Sequence, residues 1–321
     1  MDIVEVDARS ASDDVLARFH ALEAACHEEL HPGEPLRTVE EVVAFRRHMP
    51  TTHTSCHWLA DGGMAALSVH GPNAAFLEIL VGPERRRRGL GSALLERVVA
   101  RCRELRVEAL RGAHSTAAGA RFASAVGAVD EQRIVRSILE LPAAALPEPR
   151  PPDDFHVVTW LGRVPDEHLA AYVVARAAMD DAPAPEGLDF PSWTAEKVRA
   201  SEESLAQRGR EMRLTVALAE DGRIAAFTEL RRSRGSTLGF TDDTGTVAAE
   251  RGRGLARAVK LESLRRLRAD HPEIEVVTTS NAEENAVMRH LNTSLGFRPS
   301  VVETLAALDL PSGGSVSGQP R

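Results

Sequence analysis

Two segments carry residue types suited to holding an anion: Arg86-Arg87-Arg88-Gly89-Leu90-Gly91 and Arg251-Gly252-Arg253-Gly254-Leu255-Ala256. Glycines admit backbone conformations that turn successive N–H groups toward one point, and a helix starting there adds about half a positive charge. A diphosphate fits such a cradle. A single Gly-rich turn can be no more than a joint between strand and helix. Here the pattern occurs twice at one constant offset, so that Arg86, Gly89 and Gly91 answer to Arg251, Gly254 and Ala256.

A second echo lies downstream, where FASAVGA ending at Ala128 matches LNTSLGF ending at Phe297. Two copies of one domain explain both echoes. The elements that must position the loops repeat as well. In the first copy a strand near Asp2 to Val6 precedes helices at Asp13 to Glu29 and Val39 to Arg47. Strands His57 to Ala60 and Met64 to Val69 meet at the turn Asp61-Gly62-Gly63, and Ala75 to Val81 adds a third. Behind the loop, Leu94, Leu95, Val98, Val99, Cys102 and Leu105 form a helical apolar stripe.

The second copy reads as a strand at His156 to Leu161, helices at Asp166 to Met179 and Ala195 to Gly209, and a hairpin from Leu214 to Leu230 turning at Asp221-Gly222. Strand Leu238 to Val247, helix Leu255 to Asp270, strand Glu275 to Thr279 and helix Asn285 to Ser294 follow. The fold class is mixed α/β. Between the copies, Ala143 to Asp154 is rich in proline and charge and suits neither a helix nor a central strand. The expected organisation is a first domain over 1–142, a linker over 143–154, a second domain over 155–310 and a frayed tail over 311–321.

Composition narrows the function. The 321 residues are 43% hydrophobic with net charge −8, which is ordinary for a folded protein. Acidic residues outnumber basic ones 47 to 39, so general nucleic-acid binding is not expected. Three cysteines without paired spacing, no signal-peptide pattern and no long apolar run point to a cytoplasmic protein without membrane contact. HEELH at His27 to His31 matches a zinc-site pattern, but Pro32 and Gly33 end the helix at the second ligand. His53, Cys56 and His57 have ligand-like spacing without an evident fourth ligand. No metal is expected.

Strand, R/Q-x-x-G-x-G/A, long helix, strand, then a helix ending in L-G-F resembles the GNAT N-acetyltransferase superfamily. The resemblance covers both halves, giving a tandem arrangement of two mixed, mostly antiparallel sheets flanked by helices. It implies acetyl-CoA, or another acyl-CoA, as co-substrate and direct attack by a primary amine of a small molecule in a ternary complex. It assigns cofactor contacts to Thr246, Val247, Arg251, Gly252, Arg253, Gly254, Leu255 and Ala256, with Arg86, Arg88, Gly89 and Gly91 in the first copy.

The same resemblance places Asn285 on CoA and Asn281 near the pantetheine opening. Thr116 and Ala123 stand where the second copy has Asn285 and Asn292, so the first copy is expected to be degenerate or structural and the second catalytic. Candidate bases are Asp243, at a position where the family often places an acid, and Glu229 on the preceding strand. Where many relatives carry a thiolate-protonating tyrosine, this chain has Asn292. Val287, Leu291 and Leu295 are expected to face the core, with Asn285, Arg289 and Asn292 opposite. The rival readings are a non-catalytic acyl-CoA sensor, and an acyltransferase using a larger acyl group or a carrier-protein donor.

Overall fold

The computed structural model describes residues 2–49, 54–188 and 192–310. His53 and the 311–321 tail lie outside them. The first half runs β1 (Val4–Val6), α1 (Asp13–Leu30), α2 (Val39–Arg47), β2 (Thr54–Ala60), β3 (Gly63–Val69), β4 (Ala75–Val81), α3 (Leu90–Glu104), β5 (Ala109–His114), α4 (Ala117–Ala125) and β6 (Val129–Glu140). The second half repeats it with β7 (Phe155–Leu161), α5 (Asp166–Arg176), α6 (Ala195–Gln207), β8 (Arg210–Ala219), β9 (Ile224–Ser233), β10 (Leu238–Thr246), α7 (Leu255–Asp270), β11 (Val276–Ala282), α8 (Ala286–Ser294) and β12 (Arg298–Asp309).

Local chemistry sets most boundaries. The hairpin turns use Gly62 and Gly222 at φ +77 and +84, a region that side chains with a Cβ rarely enter. Ser12, Thr38, Thr116, Thr194 and Asn285 each accept a backbone N–H in the first turn of α1, α2, α4, α6 and α8, which satisfies a donor the helix leaves free.

Strand alternation then sorts side chains to two faces. Met64 and Leu59 pack with Leu16, Phe19 and Val42 of α1 and α2, while Ala65, Leu67 and Trp58 pack under Leu94 and Val98 of α3. The second half does the same, with Tyr172, Val198 and Leu205 over Leu214, Val216 and Phe227, and with Leu255 and Val259 under the other face. Helices α1, α2, α5 and α6 thus cover one side of the sheet, and α3 and α7 the other. Among the described residues no helix is long and apolar enough to cross a membrane.

The halves share one twelve-stranded sheet, in the order β1-β2-β3-β4-β5-β12-β6-β11-β10-β9-β8-β7. Each half lends its last strand to the other. β12 pairs antiparallel with β5, from Thr304 opposite His114 to Asp309 opposite Ala109, and β6 pairs with β11, from Glu140 opposite Val276 to Ile134 opposite Ala282. β6 and β12 then join each other antiparallel at the centre of the sheet. Neither strand is named by the sequence reading. β6 begins Val-Asp-Glu-Gln-Arg, without the run of apolar or alternating residues that marks a strand. Its hydrogen-bonding partners lie across the linker, in the other half.

Residues 143–154 contain no helix or strand, yet they are tied down. Leu146 joins Leu141 in the cluster containing Leu261, Leu264 and Leu267 of α7, and Arg268 donates to the Ala144 carbonyl at 2.8 Å. The exchange has a testable consequence. Residues 1–142 expressed alone leave β5 without its antiparallel neighbour, and should show no cooperative thermal transition; mixing with 143–321 should restore one. A cooperatively folded monomer from 1–142 alone would show that β6 can take the place of β12 beside β5.

Candidate active site

Both Arg-Gly segments form the same loop. Each opens with a short 3₁₀ turn and ends on a glycine cap, Gly89 at φ +81 and Gly254 at φ +76. Two residues earlier the backbone again takes positive φ, at Arg87 (+61) and Gly252 (+78). Neither cap offers a side chain, and neither α3 nor α7 has an acid in its first turn. The first-turn N–H groups that caps satisfy in five other helices are therefore left for an anion.

The first arginine of each loop is tied back to the strand before it, Arg86 partly buried and Arg251 exposed. Arg86 donates through Nε to the Val81 carbonyl at 3.1 Å and pairs with Glu29. Arg251 donates to the Thr246 carbonyl at 3.2 Å and pairs with Asp181. Arg253 is held by Asp154 and Glu250, whereas Arg88 is exposed. The Val247 N–H is spent on the Ala225 carbonyl at 2.9 Å, while Thr246, the last residue of β10, stands opposite Ala226 with its carbonyl taken by Arg251.

Ahead of each loop a parallel pair of strands parts. β4 pairs with β5 only through Leu77 opposite Gly112, and β10 with β11 only through Thr241 opposite Thr279. The two openings differ in one respect. β3 and β4 stay in register from Ala75 to Val81, but the β9–β10 ladder slips between Thr241 and Thr244. One extra residue therefore sits in β10, and such a bulge takes peptide groups out of the ladder and redirects side chains.

The bulge carries Asp242 and Asp243. Asp243 is bound by Arg176 of α5, and Asp242 by Arg231 of β9 at 2.5 Å. Glu229, also on β9, is 2% exposed and accepts from Tyr172, Arg176 and Arg231. Arg176 is itself buried, with its guanidinium 3.7 Å from the Trp193 ring centroid. Burial of these ions is tolerated because each is paired and hydrogen-bonded.

The groups respond differently to this setting. Burial alone would raise the Glu229 carboxyl, but Arg231 and Arg176 hold it below the usual carboxylate range. With both oxygens engaged and almost no exposure, Glu229 is out of reach of a substrate ammonium. Burial pushes Asp242 up to about 6 despite Arg231, with the charges of Asp243 and Glu229 adding to the rise. The Asp242 side chain keeps 27% of its surface and so remains reachable. The sequence reading named Asp243 and Glu229 but not Asp242. The adjacent acids Asp242-Asp243 were visible in the sequence; the bulge that turns them into a pair with separate arginines was not.

On the other side of the opening, Asn292 is 2% exposed and donates through Nδ2 to Asn281 Oδ1 at 2.6 Å. Its own Oδ1 is buried and has no partner among the described residues. Asn285 caps α8, its Oδ1 accepting from Met288 N at 3.2 Å. The expected facing of α8 is corrected here. Val287 is 82% exposed, and Asn292 turns inward with Leu295 instead of lying on an outer face. Leu291 and Leu295 do pack against the cluster containing Leu264 and Leu267, as expected, and Asn292 is the buried residue of the helix, which starts at Ala286.

HEELH closes α1: the helix ends at Leu30 with His31 as its C-cap, and His27 bonds the Glu34 carbonyl group through Nε2 at 2.7 Å. Among the described residues no cluster of three or more His, Cys, Asp or Glu side chains could hold a metal ion.

Comparison with known proteins agrees with this geometry. Residues 16–125 match the acetyltransferase (GNAT) family. A mycothiol acetyltransferase of Nocardia farcinica (strain IFM 10152) is 28% identical over 271 residues, covering 81% of this chain and 82% of that protein. A tandem GNAT protein from the clavulanic acid biosynthesis pathway superposes with TM-score 0.82 at 24% identity, covering 98% of this chain and 99% of the other. A GCN5-related N-acetyltransferase from Sphaerobacter thermophilus gives TM-score 0.73 at 17% identity over 99% of this chain and 98% of the other. Two loops with open helix ends, two parted strand pairs and these matches together give the chain the fold of a tandem GNAT protein, with residues 16–125 similar to the acetyltransferase (GNAT) family.

Proposed function

We propose that the second half, residues 155–310, transfers an acetyl group from acetyl-CoA to the primary amine of a small molecule by direct attack in a ternary complex. The observation that carries this reading is the β10 bulge with Asp242 and Asp243 beside the opening between β10 and β11, a feature β4 lacks. The open first turn of α7 suits the diphosphate, and the orphaned Asn292 Oδ1 suits an N–H or S–H donor near the thioester. The first half keeps the loop but has Ala123 in place of Asn292, and we assign it a structural role. The relative named mycothiol acetyltransferase supports a small-molecule acceptor.

The chemistry needs a base for the ammonium and donors for charge developing on the thioester oxygen. Asp242 meets the first need, since a carboxyl with its proton affinity raised to about 6 is ionised at neutral pH yet a stronger base than an ordinary aspartate. Arg231 occupies one edge of it, and Arg176 fixes Asp243 next to it. Backbone N–H groups released by the bulge meet the second need. The Tyr172 hydroxyl, committed to Glu229 and Arg176 and raised well above its ordinary value by burial, is no proton donor to the thiolate. A thiol with a pKa of about 8.5 can depart as the anion, with the Nδ2–H of Asn292 that Asn281 does not use as the donor beside it.

Four measurements test this reading. Gly254→Val should abolish acetyl-CoA-dependent thiol release and weaken acetyl-CoA binding in calorimetry, whereas Gly89→Val should retain both; the reverse would place the active site in the first half. The kcat/KM of the wild type should climb as pH rises through about 6, because Asp242 must lose its proton to act. Asp242→Asn should remove that limb and lower kcat/KM by about 100-fold; if Asp243→Asn does so instead, the base is Asp243. Asn292→Ala should lower kcat more than acetyl-CoA affinity, and equal loss of both would reject its place at the sulfur. Tight acetyl-CoA binding without thiol release across a broad amine panel would favour the sensor reading, which the missing tyrosine supports.

A further inference from the structure

A cleft of about 290 Å³ opens between the halves, on the sheet face covered by α1. Its walls include His31, Arg37 and Glu78 from the first half and Arg210, Arg231 and Phe240 from the second. Arg231 lines this cleft and also holds Asp242, so the cleft abuts the proposed base.

Most of its charge is neutralised in place. Arg37 pairs with Glu23 at 2.5 Å, Arg136 with Glu34, and Arg231 with Glu229 and Asp242. Arg210 differs. Among the described residues no carboxylate lies within ion-pair distance of it; Glu41 and Asp242 act only from farther away. Its neighbours are the Phe45 ring, with the centroid 5.5 Å from its guanidinium, and the positive charges of Arg37 and Arg231.

Phe45 gathers three guanidiniums, those of Arg37 at 5.6 Å, Arg208 at 5.2 Å and Arg210 at 5.5 Å from the ring centroid. Only Arg37 has a carboxylate. Arg208 gives its Nε–H to the His48 carbonyl at 2.9 Å and is pushed down to about 10 by burial and by Arg210 and Arg231. Stacking on an aromatic face offsets part of the desolvation of a guanidinium, but it does nothing for the repulsion among three of them. A single anion in the cleft beside Arg210 and Arg37, the two of them that line it, reverses that repulsion and fills the planar donor forks that arginine presents. Phe45 and Arg37 belong to the first half, Arg208 and Arg210 to the second, so the cluster exists only where the halves meet.

We propose that the acceptor carries, in addition to its amine, an anionic group, a carboxylate or a phosphate, that docks in the cleft on Arg210 with Arg37 beside it, Arg208 on the shared Phe45 ring adding positive charge. This rests on the transfer reading of the β10 bulge, and it makes Arg210 a specificity-determining residue that acts at a distance from the reacting amine.

The test compares amines that differ only in the anionic group: β-alanine with β-alaninamide for the carboxylate, and O-phosphoethanolamine with ethanolamine for the phosphate. In acetyl-CoA-dependent thiol release, the anionic member of at least one pair should have kcat/KM about tenfold higher or more. The pair that shows it identifies the group. Arg210→Met should bring that ratio to about one, chiefly through KM, and Arg210→Lys should restore part of it. The thermal midpoint and acetyl-CoA affinity verify that each variant is folded. No preference in either pair, or a preference that survives Arg210→Met, overturns the proposal.

A second arm separates this from the transfer reading. β-Alanine and O-phosphoethanolamine are titrated calorimetrically into the wild type and Arg210→Met without acetyl-CoA. If no amine is acetylated but one probe binds the wild type and not the variant, the transfer reading falls and the anion site stands. If no amine is acetylated and neither probe binds the wild type, the anion site falls too.

Discussion

A β-strand can leave its neighbour only if the peptide groups so released find another partner, and this obligation organises the second half of the protein. β10 and β11 are hydrogen-bonded in parallel up to Thr241 and Thr279, and then diverge. On the far side of β10 the ladder with β9 slips by one residue at the same level. The coincidence concentrates unpaired backbone at one spot, which is the place where a polar ligand is best received. Asp242, Asp243, Asn281 and Asn292 all lie around it, and the helix end at Gly254 faces it from the end of β10.

The two halves show how the same backbone is equipped differently. Each has a buried arginine beneath an acid on the strand before the loop: Arg46 with Glu78 in the first, Arg176 with Asp243 in the second. Arg46 completes its coordination with Glu23 and the Met64 sulfur, and Arg176 with Glu229, which faces the β10 bulge where the first half has Ala66 opposite Glu78. A glutamate where the first half has an alanine draws Tyr172 and Arg231 into one buried network, and Arg231 in turn carries Asp242. The network is costly to desolvate and is held by pairing at every member, so removing any one would leave a buried charge exposed to the penalty of standing alone.

Strand exchange is what makes the arrangement a single body. Because β12 closes the first half and β6 the second, the cleft between α1 and β10 has walls from both copies, and the Phe45 cluster assembles arginines that are far apart in the chain. The loops themselves are built from residues adjacent in sequence. The proposed recognition of the acceptor is built from residues that are not.

Much of this was legible in the chain alone. The repeat, the loop motif, the hairpins at Gly62 and Gly222 and the helices α2 and α7 follow from short-range causes: periodic apolar positions, caps, and glycines at positive φ. Those signals act within a turn or two, so a sequence displays them directly. Only the tertiary structure decided that β6 and β12 are strands, that Val287 is exposed while Asn292 is buried, that Glu229 is sealed and Asp242 reachable, and that Arg210 stands without a carboxylate partner among the described residues. Each of these depends on groups brought together from distant parts of the chain. Their hydrogen bonds, burial and electrostatic partners are properties of that proximity, which no local spacing of residues encodes.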